Sequence, residues 1–415
     1  MRIAIVGSGI AGLTCAYLLN RQHDIQVFEA SDWVGGHTHT VDVQVEGRSY
    51  AIDTGFIVFN DWTYPNFIRL LGQVGVGFKP TEMSFSVSDP ATGVEYNGHD
   101  LNTLFAQRSN LLSPAFWGML RDILRFNRQS LDDLANNRIS ADTTLGQYLD
   151  SNGYGRRFIE HYIVPMGSAI WSMSLADMLG FPLQFFVRFC KNHGLLSVSD
   201  RPTWQVIEGG SRSYVAPLTA SFAERIRLNC PVSRVVRDQD GVTLHSAAGS
   251  ERFDKVIFAC HSDQALALLE QPGEQERDIL GALPYANNDV VLHTDTRLLP
   301  KRKLAWASWN YRLGGPREQM AAVTYDMNIL QGIDSDTTFC VSLNQTAAID
   351  PSKILARFQY AHPQYSLAGT AAQARWEELL GAQHTYYCGA YWANGFHEDG
   401  VVSALRVARA FGETL

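Results

Sequence analysis

The sequence predicts an α/β protein: a Rossmann-like parallel sheet wound with helices, assembled from three separated stretches of chain, with a second, mixed-sheet and helical domain between them. Three observations predict it. Residues 2–29 read strand, glycine-rich turn, helix, strand. Residues 205–262 read as a glycine pair, an amphipathic segment, a β-meander and a buried strand. Residues 385–411 read as a short strand, an aromatic glycine-rich turn and a last helix.

The first stretch is the most informative. "RIAIV" is a short apolar strand of the kind buried on both faces of a parallel sheet. The turn from Gly7 to Gly12, with Ser8, Gly9, Ile10 and Ala11 between, has the pattern G-x-G-x-x-G. Its three glycines serve a tight turn, a close backbone approach to a pyrophosphate and helix–sheet packing. The free N–H groups of the helix that starts there attract a diphosphate. Glu29, followed by Ala30, ends the strand "DIQVFEA", about 20 residues beyond the turn, where a carboxylate accepts ribose hydroxyls. This unit binds a dinucleotide and does not by itself separate NAD from FAD.

Directly after the acid, "DWVGGHTHTV" carries Gly35, Gly36 and His37, and "YAIDTGFIVFN" carries Asp53, Gly55 and Phe56. These segments resemble the flavin-containing amine oxidase and phytoene desaturase superfamily, whose cofactor is FAD and whose cofactor domain is of the discontinuous glutathione-reductase type. "GSGIAGL", "DTGFIVFN", "WASWNY" and "CGAYWANGFHEDG" together resemble a bacterial branch of NAD/FAD-binding oxidoreductases over nearly the whole chain. That branch is associated with modification of unsaturated or cyclopropane fatty acyl chains. The resemblance implies that Gly35 and Gly36 wrap the diphosphate and that the backbone of Val232 clasps the adenine. It further implies that Gly389 lies near the ribityl-diphosphate, and that the last helix points its N-terminus, with Gly400, Val401 and Val402, at the flavin pyrimidine. Asp399 is expected as the N-cap of that helix. His37, Phe56, Phe396 and His397 are the candidates to line the flavin.

Three departures from the superfamily pattern stand out. His37 replaces the usual Arg after the glycine pair, which weakens a charge contact or puts an imidazole near the flavin. Ala390 replaces an acid, leaving Glu398 or Asp399 for ribityl contacts. "YANNDVVLHTD", where amine oxidases place a lysine that bridges water to the flavin, has none. His261, after the buried strand "DKVIFAC", reads as a strand cap before it reads as a catalyst.

The expected cofactor domain comprises residues 1–80, 200–265 and 381–415. Residues 81–199 and 266–380 form the substrate domain, with a helical insert around 104–199. In that insert "SPAFWGMLRDILRFNRQSLDDLANN" is a helix with Phe116, Leu120, Ile123, Leu124 and Leu131 inward. Its Arg121, Arg125 and Arg128 form either a solvated face or a contact with anionic lipid headgroups or an acyl carrier. The alternating Trp306, Trp309 and Tyr311 read as one face of a strand.

Bulk properties narrow the function. The chain has 415 residues, enough for two or three packed domains. Its net charge of −8 gives no support to nucleic-acid binding. Six scattered cysteines form no CxxC pair and read as buried thiols in a reducing compartment. The glycines that punctuate the N-terminal apolar run argue against a secretory signal. A cytoplasmic protein is expected, with peripheral contact at the inner face of a membrane left open. The expected activity is oxidation or isomerisation of an apolar substrate, an unsaturated or methylated acyl chain, by hydride transfer to flavin N5. The alternatives are an amine oxidase and a non-catalytic lipid-binding relative. No second G-x-G-x-x-G appears, so electrons are expected to enter from the substrate and leave to oxygen, a quinone or another carrier.

Overall fold

The computed structural model describes residues 1–314 and 320–415. Its parallel sheet has five strands in the order Ile226–Arg227, Asp24–Phe28, Arg2–Val6, Lys255–Phe258 and Thr385–Tyr387. Except for Arg2–Val6 and Asp24–Phe28, neighbours in this sheet therefore come from distant parts of the chain. The first strand explains how the sheet is buried on both faces. Alternate residues of a strand point to opposite sides. Ile3 and Ile5 join Leu13, Ala16, Val401 and Ala404 beneath two helices, Ile10–Leu19 and His397–Ala410. Ala4 and Val6 join Val235, Val242, Leu244 and Phe253 beneath the meander. That meander is three antiparallel strands, Val232–Asp238, Gly241–Ser246 and Gly249–Phe253, and Asp238 pairs with Gly241 across a tight turn.

A mixed sheet of seven strands stands beside the parallel one. Its order is Ile354–Pro363, Tyr285–His293, Cys340–Leu343, Val323–Asp326, Trp309–Arg312, Phe85–Asp89 and Val94–Asn97. Among the described residues its only parallel pairing joins Trp309–Arg312 to Phe85–Asp89. Helices between residues 101 and 192 cover this sheet, and their rings (Phe116, Phe126, Phe158, Trp171, Phe186) share one core with Val87, Tyr311 and Val323.

Several expectations are corrected. The insert helix, Pro114–Ala135, buries Phe116, Met119, Asp122, Phe126 and Ser130, whereas Leu124 is 58 % exposed. Asp122 sits inward because its Oδ2 accepts from the Gly155 amide at 2.8 Å, a partner invisible to a hydrophobic count. Trp306 is not on the strand of Trp309 and Tyr311. It follows the short turn Lys303–Ala305, and its Nε1 donates to the Pro300 carbonyl at 2.7 Å. The last strand ends at Tyr387, two residues before Gly389. All six cysteines are free, and all but the half-buried Cys260 are buried.

Candidate active site

Close backbone contact builds the cofactor cleft. Gly7 has φ +105°, and a Cβ there would lie 2.8 Å from the Ala259 carbonyl oxygen. A Cβ on Gly12 would lie 2.1 Å from the Gly7 oxygen. These two positions admit glycine alone because strand, turn and helix touch through their backbones. Gly9 differs, with ordinary φ and nothing within 4 Å of its absent Cβ. The glycine pair closes the turn from above: Gly9 and Gly35 form an isolated parallel bridge, and Gly36 faces the Gly9 Cα. Ser8 fastens the corner. Its Oγ donates to Glu29 Oε2 at 2.6 Å and accepts from the Gly35 amide at 3.3 Å.

Glu29 also accepts from the Ser8 amide (2.8 Å) and, through Oε1, from the Ser31 amide (2.9 Å). Three of the roughly four acceptor positions of a carboxylate are thereby filled by protein donors. The loop before Val232 runs alongside: Cys230 N–H donates to the Glu29 carbonyl and Asn229 N–H to that of Ser31. Val232 opens the meander next to this loop, and Ala30 is exposed at its edge.

Strand end Asp53–Phe56 holds the glycine-pair loop from the other side. Phe56 N–H donates to the His37 carbonyl at 2.7 Å and Thr54 N–H to that of His39 at 2.9 Å. A Cβ on Gly55 would lie 2.2 Å from the His37 oxygen. His37 is consequently half-buried, with its ring 6.4 Å from His261, 5.5 Å from His362 and 5.2 Å from Tyr360. Its Nε2 has no partner. Burial, and then the neighbouring imidazoles, push these rings down: His37 to about 4, His261 to about 4 and His362 to about 3. Glycine and sequence spacing gave no signal for this grouping, since His362 lies on the far strand of the other sheet. His261 caps the helix Ser262–Leu268 and stacks on Tyr285 at 4.0 Å.

The closing helix begins earlier than expected. It spans His397–Ala410, its N-cap is Phe396, and Asp399 is its third residue. Asp399 Oδ2 accepts from the Phe396 amide at 2.9 Å and from that of Asn394 at 3.1 Å. An acid satisfies a helix start from either the cap or the third position, and here it takes the second. The Gly400 amide therefore donates within the helix, to the Phe396 carbonyl. The first-turn amides are those of His397, Glu398 and Asp399, not those of Gly400, Val401 and Val402. Gly400 instead serves packing: its absent Cβ would lie 2.8 Å from Ile10 Cγ2, so the closing helix rests on the start of the glycine-turn helix. Val401 is fully buried and Val402 half-buried. The Gly389 amide donates to Ser403 Oγ at 2.9 Å, which ties the strand end to the same helix.

The four candidate lining residues divide. Phe56 stacks on His397 at 3.4 Å, and His397 Nε2 meets Thr38 Oγ1 (3.0 Å) and the Tyr214 hydroxyl (3.2 Å). Burial holds His397 well below the ordinary imidazole range. Phe396 turns away and stacks on Phe189 at 5.3 Å. It borders a cavity of about 390 Å³, together with Trp62, Tyr64, His193, Asn394 and Asp399. Thr38, Tyr214 and His193 carried no sequence signal.

The donor set fits a flavin dinucleotide. The helix Ile10–Leu19 has no side-chain cap and no acid in its first turn, which leaves its amides for a diphosphate beside the open Gly9. The first-turn amides of the closing helix suit negative charge on a flavin pyrimidine.

Fold and site thus define a flavoprotein with a parallel dinucleotide-binding sheet and a mixed-sheet domain beside it. The chain belongs to the flavin-containing amine oxidoreductase family, whose model matches residues 10–327. That family is one of flavin-containing oxidoreductases, and its cofactor here is FAD. It is 24% identical over 329 residues to the "putative flavin-containing monoamine oxidase AofH" of Mycobacterium tuberculosis, covering 75% of this chain and 66% of that protein, just under two thirds of its length. It is 37% identical over 76 residues, 18% of this chain and 15% of the other, to a zeta-carotene desaturase of Synechocystis. Among solved structures, putrescine oxidase bound to putrescine matches with TM-score 0.70 and 15% identity over 99% of both chains. A CLA-producing fatty acid isomerase from P. acnes matches with TM-score 0.70 and 16% identity, over 99% of this chain and 98% of that one.

Proposed function

We propose that the chain oxidises or isomerises an apolar substrate, an unsaturated or methylated acyl chain. FAD bound in the cleft supplies the hydride acceptor at N5 and, in isomerisation, the hydride that returns. The observation that carries this reading is the aromatic wall behind the cavity beside the closing helix, of whose rings Phe396 is the one that borders the cavity. Phe396 stacks on Phe189, Phe189 meets Trp171 at 4.8 Å, and Trp171 meets Phe181 at 4.4 Å. Such a wall excludes water and orients a chain that offers no hydrogen bonds.

Glu398, which lines the cavity, is already engaged. Glu398 accepts from the Asn66 amide, Asn66 Nδ2 and the Phe67 amide at 2.6–3.1 Å, and so serves the start of the helix Pro65–Gln73. The strand Tyr285–His293 holds no lysine. An ammonium substrate would therefore find Glu398 already occupied and no lysine–water arrangement. Asp399 is the group able to take a proton. Burial raises its carboxyl to about 6, and its Oδ1 receives only a long 3.3 Å contact from Asn394 Nδ2. In desaturation, Oδ1 would accept the proton lost next to the hydride-donating carbon. Isomerisation with hydride return needs no such acceptor. The likeness in fold to a fatty acid isomerase is in keeping with the reading.

The test is anaerobic bleaching of the flavin band near 450 nm. Unsaturated acyl lipids are expected to bleach it, and polyamines and phenethylamine to leave it unchanged. The opposite pattern selects the amine oxidase reading, which the likeness to AofH and to putrescine oxidase favours. A purified protein that holds no flavin and takes up none removes both.

A further inference from the structure

We infer that the outer face of the insert helix Pro114–Ala135 docks on an anionic phospholipid bilayer, with the helix lying in the plane of the interface. The helix is about 33 Å long at 1.5 Å per residue. Pro114, Trp117, Arg121, Leu124 and Arg128 are all exposed, at spacings of three and four residues, and so form one stripe. Apolar and cationic side chains alternate along it. Trp117 is 50 % exposed and Leu124 58 %, and the Arg121 side chain is 81 % exposed.

The foot of the stripe continues it. Leu111 (47 %), Leu112 (89 %) and Leu101 (76 %) are exposed there. Trp117 Nε1 donates to the Leu111 carbonyl at 2.9 Å, and its ring lies 5.4 Å from that of Phe105. Arg108 is fixed beside them by the Phe105 carbonyl and the Asn102 side chain. Five of the twelve exposed large apolar residues described in the molecule thus fall between residues 101 and 124. Chance exposure would scatter them.

Charge chooses the partner. The chain carries −8 overall, yet this face presents arginines. The nearby acids are spent: Asp122 is buried, 3.4 Å from Arg125 and at a long 3.9 Å from the exposed Arg121, and Asp132 and Asp133 hold Arg138 at the far end. Asp100 caps its own short helix, Leu101–Leu104. Tryptophan and leucine enter the headgroup boundary, while arginine stems lie along it with their guanidinium groups at the phosphates. No helix among the described residues is long and apolar enough to cross a membrane, so the helix lies on the surface.

The opposite face of the same helix shows what docking achieves. Phe126 contacts Phe186 (6.3 Å), Phe186 contacts Trp171 (5.9 Å), and the rings continue through Phe189 to Phe396. An apolar column thus joins the docking helix to the cavity. This column matters only if the substrate is apolar, as proposed above; the docking itself does not depend on it.

Sedimentation of the purified holoprotein with vesicles tests the inference without reading activity. Vesicles of phosphatidylglycerol and phosphatidylcholine are expected to carry the protein down, and phosphatidylcholine alone to carry far less. The double variant Trp117→Ser/Leu124→Ser should lower the partition coefficient about tenfold or more. Arg121→Glu/Arg128→Glu should remove the preference for the anionic lipid. All four positions are exposed, so melting temperature and flavin content should match the parent. A parent protein that stays in the supernatant with anionic vesicles overturns the inference, as do variants that bind like the parent. Retention on immobilised acyl carrier protein without vesicle binding assigns the stripe to an acidic protein and equally overturns it.

Discussion

The cofactor cleft and the aromatic wall are built by opposite means. In the cleft, main chain meets main chain: a Cβ on Gly12 or Gly55 would come within about 2 Å of a carbonyl oxygen. At the wall, rings such as Phe181, Phe185, Phe189 and Trp171 meet at 4.4–6.1 Å in varied orientations. The cleft therefore tolerates almost no change at a few positions, whereas the wall depends on total ring volume shared by many. A backbone-built site is rigid in its residue requirements, and a ring-built site is free to be reshaped for different apolar substrates.

The sharpest way to break this contrast lies within the glycine turn. Gly12→Val should prevent folding, a loss above about 4 kcal/mol, because its side chain meets the Gly7 carbonyl. Gly9→Val should fold with a normal melting temperature and yet hold no FAD, since only a diphosphate competes for its open space. A Gly9→Val protein that keeps its 450 nm absorbance would displace the cofactor from the turn.

Acid should act next most strongly, and on the cleft. His37, His261 and His362 have folded-state values near 3 to 4, below the unfolded value of 6.5. The unfolded chain binds more protons in that window, so stability is present above pH 6.5 and is lost as the pH falls toward 4. The raised carboxyls of Asp53 and Asp399, each near 6, act the other way between about pH 6 and 4. Asp326, also near 6, adds to these carboxyls, but with His193 and His293 near 4 the histidines outnumber them, and a loss of a few kcal/mol is expected over this range, measured as urea midpoints of the apoprotein at successive pH values. Replacing His37 and His362 with Gln should flatten the profile.

At the wall, Phe189→Ala should destabilise by about 3 kcal/mol through lost ring contacts and should raise KM for the apolar substrate while leaving flavin content intact. Equal loss of flavin would show that wall and cleft are not separable. The smallest effect is expected from Glu398→Gln, about 2 kcal/mol, because the amide oxygen can accept from only one side, its NH2 cannot accept from the other backbone amide, and the charge that answers the helix dipole is gone.

Legibility in the sequence followed the same division. Gly7, Gly12 and the pair at 35–36 were readable because local backbone geometry restricts which residues can stand there, and Gly9 and Glu29 were readable from their spacing within the same pattern. The start of the closing helix was misplaced because one acid, Asp399, satisfies two registers equally well. The inward face of the insert helix was misjudged at Leu124 because apolar periodicity cannot know that Gly155 will engage Asp122. His261 and His362 met His37 only through the crossing of two sheets.

The sequence by itself determined the strand–turn–helix units at both ends of the chain and the class of cofactor they hold, because each is a local requirement of φ, ψ and hydrogen bonding within a few residues. Only the tertiary structure decided which histidines share the cleft, which amides of the closing helix are free, and that one stripe of the insert helix meets solvent with tryptophan, leucine and arginine. Those features arise where segments hundreds of residues apart pack together, and many sequences fill such contacts equally well.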